Sequence, residues 1–406
     1  MISDKILLIV LDGGADRPLM IDGREETPLS SAKTENLDIL AEEGISGMMD
    51  VLSPGIPPGS DTGHLSLLGY DPYKVYTGRG PIEAAGAGID VKRGDVAFRC
   101  NFATLEDGKI IDRRAGRIRE TEELAKAIDE EVHLDVDFIF KRSTGHRAAL
   151  VFRGDGLGGD VTASDPKEDG MQIKESKALK KGSEKTAEIL NDFVEQSIRV
   201  LSDHPVNEER AKKGLPRANA ILTRGAGLLP EIERFEERYG LKGAVVAAAG
   251  LVIGISRICG LDFVFTEGAT GGTDSNVNKK VENALRSLKN HDFVLMNIKG
   301  TDEAGHDRNF AKKSKFFERI DEAFERLLGL EDTMIAITAD HTTSVAIGDH
   351  TGDPVPICIH GEGVRSDSIN KFDEFNCASG GLGRIRGRDL MPILTDLTNR
   401  SKKFGA

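Results

Sequence analysis

The chain has 406 residues, 54 of them Lys or Arg and 67 Asp or Glu, for a formal net charge of −13. That length exceeds a usual single core and predicts two domains, or one large α/β domain carrying an insertion. The acidic balance, without any Lys/Arg block, argues against a nucleic-acid partner but leaves room for an anionic metabolite in a local basic pocket.

In chain order, the run ILLIVL at 6–11 reads as a strand buried on both faces and delivers Asp12 at its end. The stretch PGIPPGSDTGHLSLLGYDP at 54–72 presents Ser60 on a Pro/Gly-rich turn that opens a short Leu-rich segment. Taken alone, such a serine is most simply a helix N-cap. Residues 84–215 differ in character, with long charged stretches, irregular strands such as ALVFRG at 149–154, and a Lys/Glu-rich helical region at 174–201. They are expected to form an inserted α+β domain. Further apolar runs follow at 220–223 (AILT), 244–249 (AVVAAA), 293–298 (FVLMNI) and 334–338 (MIAIT), which with 6–11 suit a parallel sheet. Between the strands lies a helical pattern at 312–330, where Phe316, Phe317, Ile320, Phe324, Leu327 and Leu328 share one face. Strand, helix, strand in this order predicts an α/β fold with a mostly parallel sheet flanked by helices. The expected organisation is a core from residues 1–83 and 216–406, interrupted by the insert at 84–215.

Cys100, Cys259, Cys358 and Cys377 lie far apart with no Cys-x-x-Cys pair. Together with an N-terminus that runs directly into a strand, they predict a reducing, cytoplasmic setting. The Ala/Gly-rich run at 243–255 is well short of the about 20 residues a membrane span needs, so no membrane partner is expected.

The apolar runs end in chemistry. After 6–11 comes Asp12, after 293–298 come Asp302 and His306, after 334–338 come Asp340 and His341, and His350 follows on a turn-rich loop. Each alone reads as a helix cap or a surface residue. In an open parallel sheet, however, the carboxyl ends of the strands share one edge, where ligands bind. Acids gathered there repel one another unless a cation neutralises them. Asp and His ligands without Cys suit Mn2+, Zn2+, Co2+ or Mg2+, and there are enough for two ions.

The motifs VLDGGADRP (10–18), GSDTGHLSLLGYDP (59–72), YTGRGPIEAAGAGI (76–89), KGTDEAGHDRN (299–309), TADHTTS (338–344) and GDHTGDPVPI (348–357), in this order, resemble the archaeal-type branch of the cofactor-independent phosphoglycerate mutases, within the alkaline phosphatase superfamily. The resemblance implies an alkaline phosphatase-like core, interconversion of 2- and 3-phosphoglycerate in glycolysis and gluconeogenesis, and no need for 2,3-bisphosphoglycerate. It also implies two divalent metals, Mn2+ first among them, and a phosphoserine intermediate at Ser60. Asp302, His306 and His350 would bind one metal, and Asp12, Asp340, His341 and the Ser60 oxygen the other. Gly59 and Asp61 stand where the bacterial branch has Asn and Glu. The insert would be a substrate-binding lid. Because guanidinium forks match carboxylate and phosphate, the substrate residues are sought near its turns: Arg113, Arg117, His146, Arg147 and Asp165, with Arg224 at the end of a strand. The rival readings are a phosphomonoester hydrolase or phosphopentomutase using the same metal residues, and a non-catalytic, metal-stabilised binding protein.

Overall fold

The computed structural model describes residues 3–403 and 405. The chain divides into two compact units, one made of the residues up to Val75 together with those from Ile232 onward, the other Tyr76–Glu231. These divisions fall outside the 84–215 limits read from sequence. Helix Gly80–Gly86 places Ala84 in a cluster with Ala97, Ala149 and Val151 of the second unit, and strand Ala220–Leu228 pairs within that unit's sheet.

The first unit is built on an eight-stranded sheet in the order Asp262–Phe263, Gly243–Val246, Phe293–Ile298, Lys5–Leu11, Thr333–Thr338, Val355–His360, Ile45–Asp50, Gly383–Arg386. Seven strands run the same way, and Val355–His360 alone runs against both its neighbours. The central strand KILLIVL has Leu7 opposite Val294 on one side and Ile335 on the other, which explains its unbroken apolar run. Leu7, Ile9 and Leu11 face a core shared with helices Glu35–Glu42, Val277–Ser287 and Phe310–Phe324. The last helix buries Phe316, Phe317, Ile320 and Phe324, each worth about 1.5–3 kcal/mol of transfer free energy. It gives way to a 3-10 turn at Glu325–Leu327, shorter than the 312–330 pattern, because Gly329 with φ 79° turns the chain back. Helices Ser60–Leu67, Gly250–Ile258 and Leu390–Leu397 also belong to this unit.

The second unit is an antiparallel sheet in which Val96–Glu106 pairs with Lys109–Asp112, Arg147–Arg153 and Ala220–Leu228, and Asp137–Arg142 adds to Arg147–Arg153. The run AILT therefore does not belong to the parallel sheet, contrary to what its continuous apolar character predicted. Ile221 enters the phenylalanine core while Ala220 and Leu222 pack with Ala103 and Ile110, so both faces are buried without parallel pairing. Phe98, Phe102, Phe140, Phe152 and Phe193 make edge-to-face or tilted contacts in that core. The charged region at 174–201 is helical only from Glu184, as Glu184–Ser202. Among the described residues no helix is long and apolar enough to cross a membrane.

Candidate active site

Three strand ends of the first unit deliver carboxylates to one place. Asp12 follows Leu11, and its N–H donates to the Ile298 carbonyl at 3.0 Å, tying it to the neighbouring strand. Asp302 and His306 lie four apart on helix Gly300–His306 and so share a face. Asp340 and His341 follow strand Thr333–Thr338, and His350 sits on a small hairpin opposite Thr343. Gly13 lets these segments meet: with φ 64°, a Cβ there would lie 2.5 Å from Thr343 Oγ1 and 2.9 Å from Asp302 Cα.

Ser60 is the first residue of helix Ser60–Leu67, and Gly59 is its N-cap. The capping reading of this serine is thus replaced: Thr62 Oγ1 accepts from the Gly59 N–H at 3.1 Å, and Ser60 Oγ points instead to His341 Nε2 at 3.2 Å. The helix can approach this closely because residue 63 is glycine, whose Cα lies against the Asp340 backbone.

The candidate ligand atoms form two groups, Asp302 with His306 and His350, and Asp12 with Asp340 and His341, each within 4.8 Å of one another. In the first, Nε2 of His306 and of His350 stand 3.4 and 3.5 Å from Asp302 Oδ1. In the second, His341 Nε2 stands 3.6 Å from Asp12 Oδ1 and 3.4 Å from Asp340 Oδ2. The far nitrogens are fixed by acceptors: His306 Nδ1 donates to the Gly348 carbonyl at 2.9 Å, and His350 Nδ1 to the Pro58 carbonyl at 2.7 Å. Their Nε2 lone pairs therefore face inward, which is how imidazole is prepared to ligate.

The charges are unbalanced in a way that a divalent cation corrects. Asp340 Oδ2 is buried without an aligned donor, although His64 Nδ1 and His341 Nε2 approach to 3.3 and 3.4 Å. Burial works to raise Asp12, but the Lys299 ammonium and His341 hold it well below the ordinary carboxylate range. Asp302 is likewise held low, with burial opposed by His350, Lys299 and His341. Burial would lower His350, yet Asp302 and the Pro58 carbonyl raise it. Oxygen and imidazole donors without thiolate, inward lone pairs and an unmet buried carboxylate oxygen fit borderline or hard divalent ions.

Sequence reasoning missed several residues that hold this arrangement. His64 Nδ1 donates to the Ser60 carbonyl at 2.7 Å, and Asn297 Nδ2 donates to Asp12 Oδ2 at 2.8 Å while lying 3.3 Å from His64 Nε2. Lys313, fully buried, donates to Asp16 Oδ2 at 2.9 Å and to the Ala15 and Thr343 carbonyls at 3.0 and 2.8 Å, joining two of the ligand loops. Lys299 and His64 both lie inside the motifs quoted above, where neither stood out from ordinary polar residues.

The second unit holds a separate cluster of guanidinium groups. Arg113 makes a two-pronged pair with Asp165, 2.8 Å on each arm, and Arg224 Nη1 lies 3.7 Å from the same carboxylate. Arg99 and Arg224 are direct cross-strand partners, and Asn101 pairs with Arg147. Like charges set opposite each other destabilise a sheet. Glu83 offsets part of this, 3.0 Å from Arg79 Nε and 3.4 Å from Arg99 Nε, but the Arg99 nitrogen is buried with no aligned acceptor. Burial and then the repulsion of its neighbours, against the pull of Glu83, bring Arg99 down to about 9. Burial, followed by the charges of Arg147, Arg114, Arg99 and Arg224, brings His146 down to about 4. Such a cluster asks for an anion. Arg113, His146, Arg147, Asp165 and Arg224 from the sequence reading fall in it, and Arg79, Arg99 and Glu83 were missed. Arg117 stands on an exposed turn, and among the described residues it shares no ion pair with the cluster.

The family model for 2,3-bisphosphoglycerate-independent phosphoglycerate mutase matches residues 41–207. The chain is 52% identical over 411 residues to 2,3-bisphosphoglycerate-independent phosphoglycerate mutase 1 of Archaeoglobus fulgidus, covering 99% of this chain and all of that one. It is 51% identical to the mutase of Methanoculleus marisnigri, with both chains fully covered. Among solved structures, it superposes on the PH0037 protein from Pyrococcus horikoshii with a TM-score of 0.87 at 42% identity, covering both chains completely. For the cofactor-independent phosphoglycerate mutase of Thermoplasma acidophilum the TM-score is 0.75 at 41% identity, with 98% of this chain and all of that one covered.

Proposed function

The chain belongs to the 2,3-bisphosphoglycerate-independent phosphoglycerate mutases, and from that premise we propose that it interconverts 2- and 3-phosphoglycerate through a phosphoserine at Ser60. The observation that carries this reading is the Ser60 hydroxyl, 3.2 Å from His341 Nε2 beside the buried Asp12, Asp340 and His341 group and not spent on capping its own helix.

Ser60 Oγ loses its proton and attacks phosphorus in line. The Oγ–P bond forms as the bond from phosphorus to the substrate oxygen breaks, and that oxygen takes up a proton. The other hydroxyl of glycerate then attacks the phosphoserine, loses its proton, and returns the Ser60 oxygen to its hydroxyl form. Asp302, His306 and His350 would hold one divalent cation, and Asp12, Asp340, His341 and Ser60 a second, with Mn2+ preferred to Co2+, Mg2+ or Zn2+, to neutralise developing charge and favour the serine alkoxide. His64 fixes the first turn of helix Ser60–Leu67 through the Ser60 carbonyl. Burial of Ser60, 7% exposed, limits the access of water that would turn transfer into hydrolysis.

The unit Tyr76–Glu231 acts in this reading as the substrate-binding domain. Arg99, Arg113, Arg147 and Arg224 bind the substrate's carboxylate and phosphate charges, Asp165 orients Arg113, and His146 adds to the same surface, while Arg117 lies apart on its exposed turn. Four free, buried cysteines accord with a cytoplasmic enzyme. The test is direct. Incubating the protein and Mn2+ with 3-phosphoglycerate, without 2,3-bisphosphoglycerate, should yield 2-phosphoglycerate; free phosphate as the main product would mark a hydrolase instead.

A further inference from the structure

Lys299 follows strand Phe293–Ile298 directly, and its Nζ donates to Asp12 Oδ1 at 2.8 Å and to Asp302 Oδ2 at 2.7 Å. Those carboxylates belong to different ligand groups, so a single ammonium joins the two. Each acid is also held on its other oxygen, Asp12 Oδ2 by Asn297 Nδ2 at 2.8 Å and Asp302 Oδ1 by the Thr343 hydroxyl at 2.7 Å. The position of the ammonium is therefore determined from several sides. The two fully buried lysines are committed elsewhere, Lys280 to the Asn297 carbonyl at 2.9 Å and Lys313 to the Asp16 side.

We propose that Lys299 is a resident monovalent cation of the site, which neutralises Asp12 and Asp302 in the metal-free protein, keeps the two ligand groups in register, and opposes by like charge the divalent ions that enter them. It is a positioning residue, and this role rests on reading both groups as cation sites. Without it, the carboxylates of Asp12, Asp302 and Asp340 face one another with no lysine ammonium between them. The metal-free fold then weakens, and an incoming cation meets one fewer positive charge. Charges a few ångströms apart in a partly buried site interact strongly enough for both effects to be large.

The experiment compares metal-free wild type, Lys299→Met and Lys299→Arg by melting temperature and by calorimetric titration with Mn2+. Lys299→Met should melt about 5 °C or more below wild type without metal. Its first Mn2+ should bind about tenfold tighter or more, so that saturating Mn2+ closes the stability gap. Lys299→Arg, which keeps the charge, should stay near wild type in both readouts. If Lys299→Met folds only with Mn2+, that is the same result in its extreme form. Failure to fold even with saturating Mn2+, an unchanged metal-free melting temperature, or unchanged or weaker Mn2+ affinity overturns the inference. Lys299→Arg behaving like Lys299→Met also overturns it, since packing rather than charge would then be responsible. Wild type that binds no Mn2+ refutes the cation-site reading itself, a separate outcome.

Discussion

The Thr343 hydroxyl donates to Asp302 Oδ1 at 2.7 Å while it accepts from His341 Nδ1 at 3.0 Å. One side chain thus orders an acid of one ligand group and sets the tautomer of an imidazole in the other. Valine has nearly the same shape but offers neither bond, and it leaves the buried His341 Nδ1–H unpaired at a cost of about 1–3 kcal/mol. Thr343→Val should fold, lose stability by about that amount, and bind Mn2+ about 10–100-fold more weakly by calorimetry. Unchanged Mn2+ affinity would remove Thr343 from this role.

Gly63 sets the distance between the serine helix and the end of strand Thr333–Thr338. A Cβ at residue 63 would lie 2.5 Å from the Asp340 carbonyl oxygen and 3.1 Å from Asp340 Cβ, so backbone must move. Gly63→Ala should cost about 1–3 kcal/mol of stability. The displacement of Ser60 from His341 should lower kcat by about a hundredfold or more. Gly271→Ala, where a Cβ meets open space, is the control and should change neither melting temperature nor kcat appreciably.

The candidate metal-ligand residues, His350 apart, were legible because they stand at or just after the end of an uninterrupted apolar run, and continuous runs are the pattern of a parallel sheet whose strand ends share an edge. Asp12 after ILLIVL and Asp302 after FVLMNI are the clearest cases. Arg99 was not legible, because in VAFRCNFATLE a single basic residue amid buried positions gives no periodic signal, and its meaning appears only when the register sets it opposite Arg224. AILT misled for a related reason. A strand covered on both faces reads the same whether its partners are parallel or antiparallel, and only the pairing with Val96–Glu106 decides. Lys299 was hidden because its role depends on a hydrogen bond to Asp12, far away in sequence, and His64 because a bond to the Ser60 carbonyl at ordinary helical spacing leaves no sequence signature.

The opposition of Arg99 and Arg224 predicts a separation of binding from stability. In Arg224→Met, KM for 3-phosphoglycerate should rise at least about tenfold, since charge-assisted bonds to an anion contribute about 1.5–3 kcal/mol each. Melting temperature without ligand should stay level or rise, because relief of the opposition to Arg99 offsets the lost 3.7 Å pair with Asp165. Mn2+ content should not change. A fall in both melting temperature and Mn2+ content, with KM unaltered, would mean that Arg224 serves the fold rather than the substrate.

Asp165 gives a pH-dependent test. Burial would raise its carboxyl, but the Arg113 fork, the Lys167 N–H and the charge of Arg224 hold it below the ordinary aspartate range. A carboxyl depressed in the folded state contributes stability above its unfolded value, about 4, and loses it as pH falls through the folded value. Asp165→Asn should therefore be about 1–3 kcal/mol less stable than wild type at pH ~6, a figure discounted because Arg113 is partly exposed. Urea unfolding should show that gap narrowing steadily below pH ~4. A gap independent of pH would assign the loss to packing.

Ser60→Ala separates the phosphoserine route from direct transfer. The variant should fold and keep its Mn2+, since the Asp and His ligands and the His64 contact to the residue 60 carbonyl do not need the hydroxyl. Mutase turnover should nevertheless fall to background, because direct transfer between the two hydroxyls of one glycerate demands a strained geometry and a nucleophile has been removed. Wild type quenched during turnover of phosphoryl-labelled 3-phosphoglycerate should carry label on a peptide containing Ser60. That peptide also contains His64, so the site must be resolved by fragmentation and by acid stability, which a phosphoserine has and a phosphohistidine lacks. Acid-labile label on His64, or ordinary turnover by Ser60→Ala, would discard the serine as the phosphoryl carrier while leaving the fold and the family untouched.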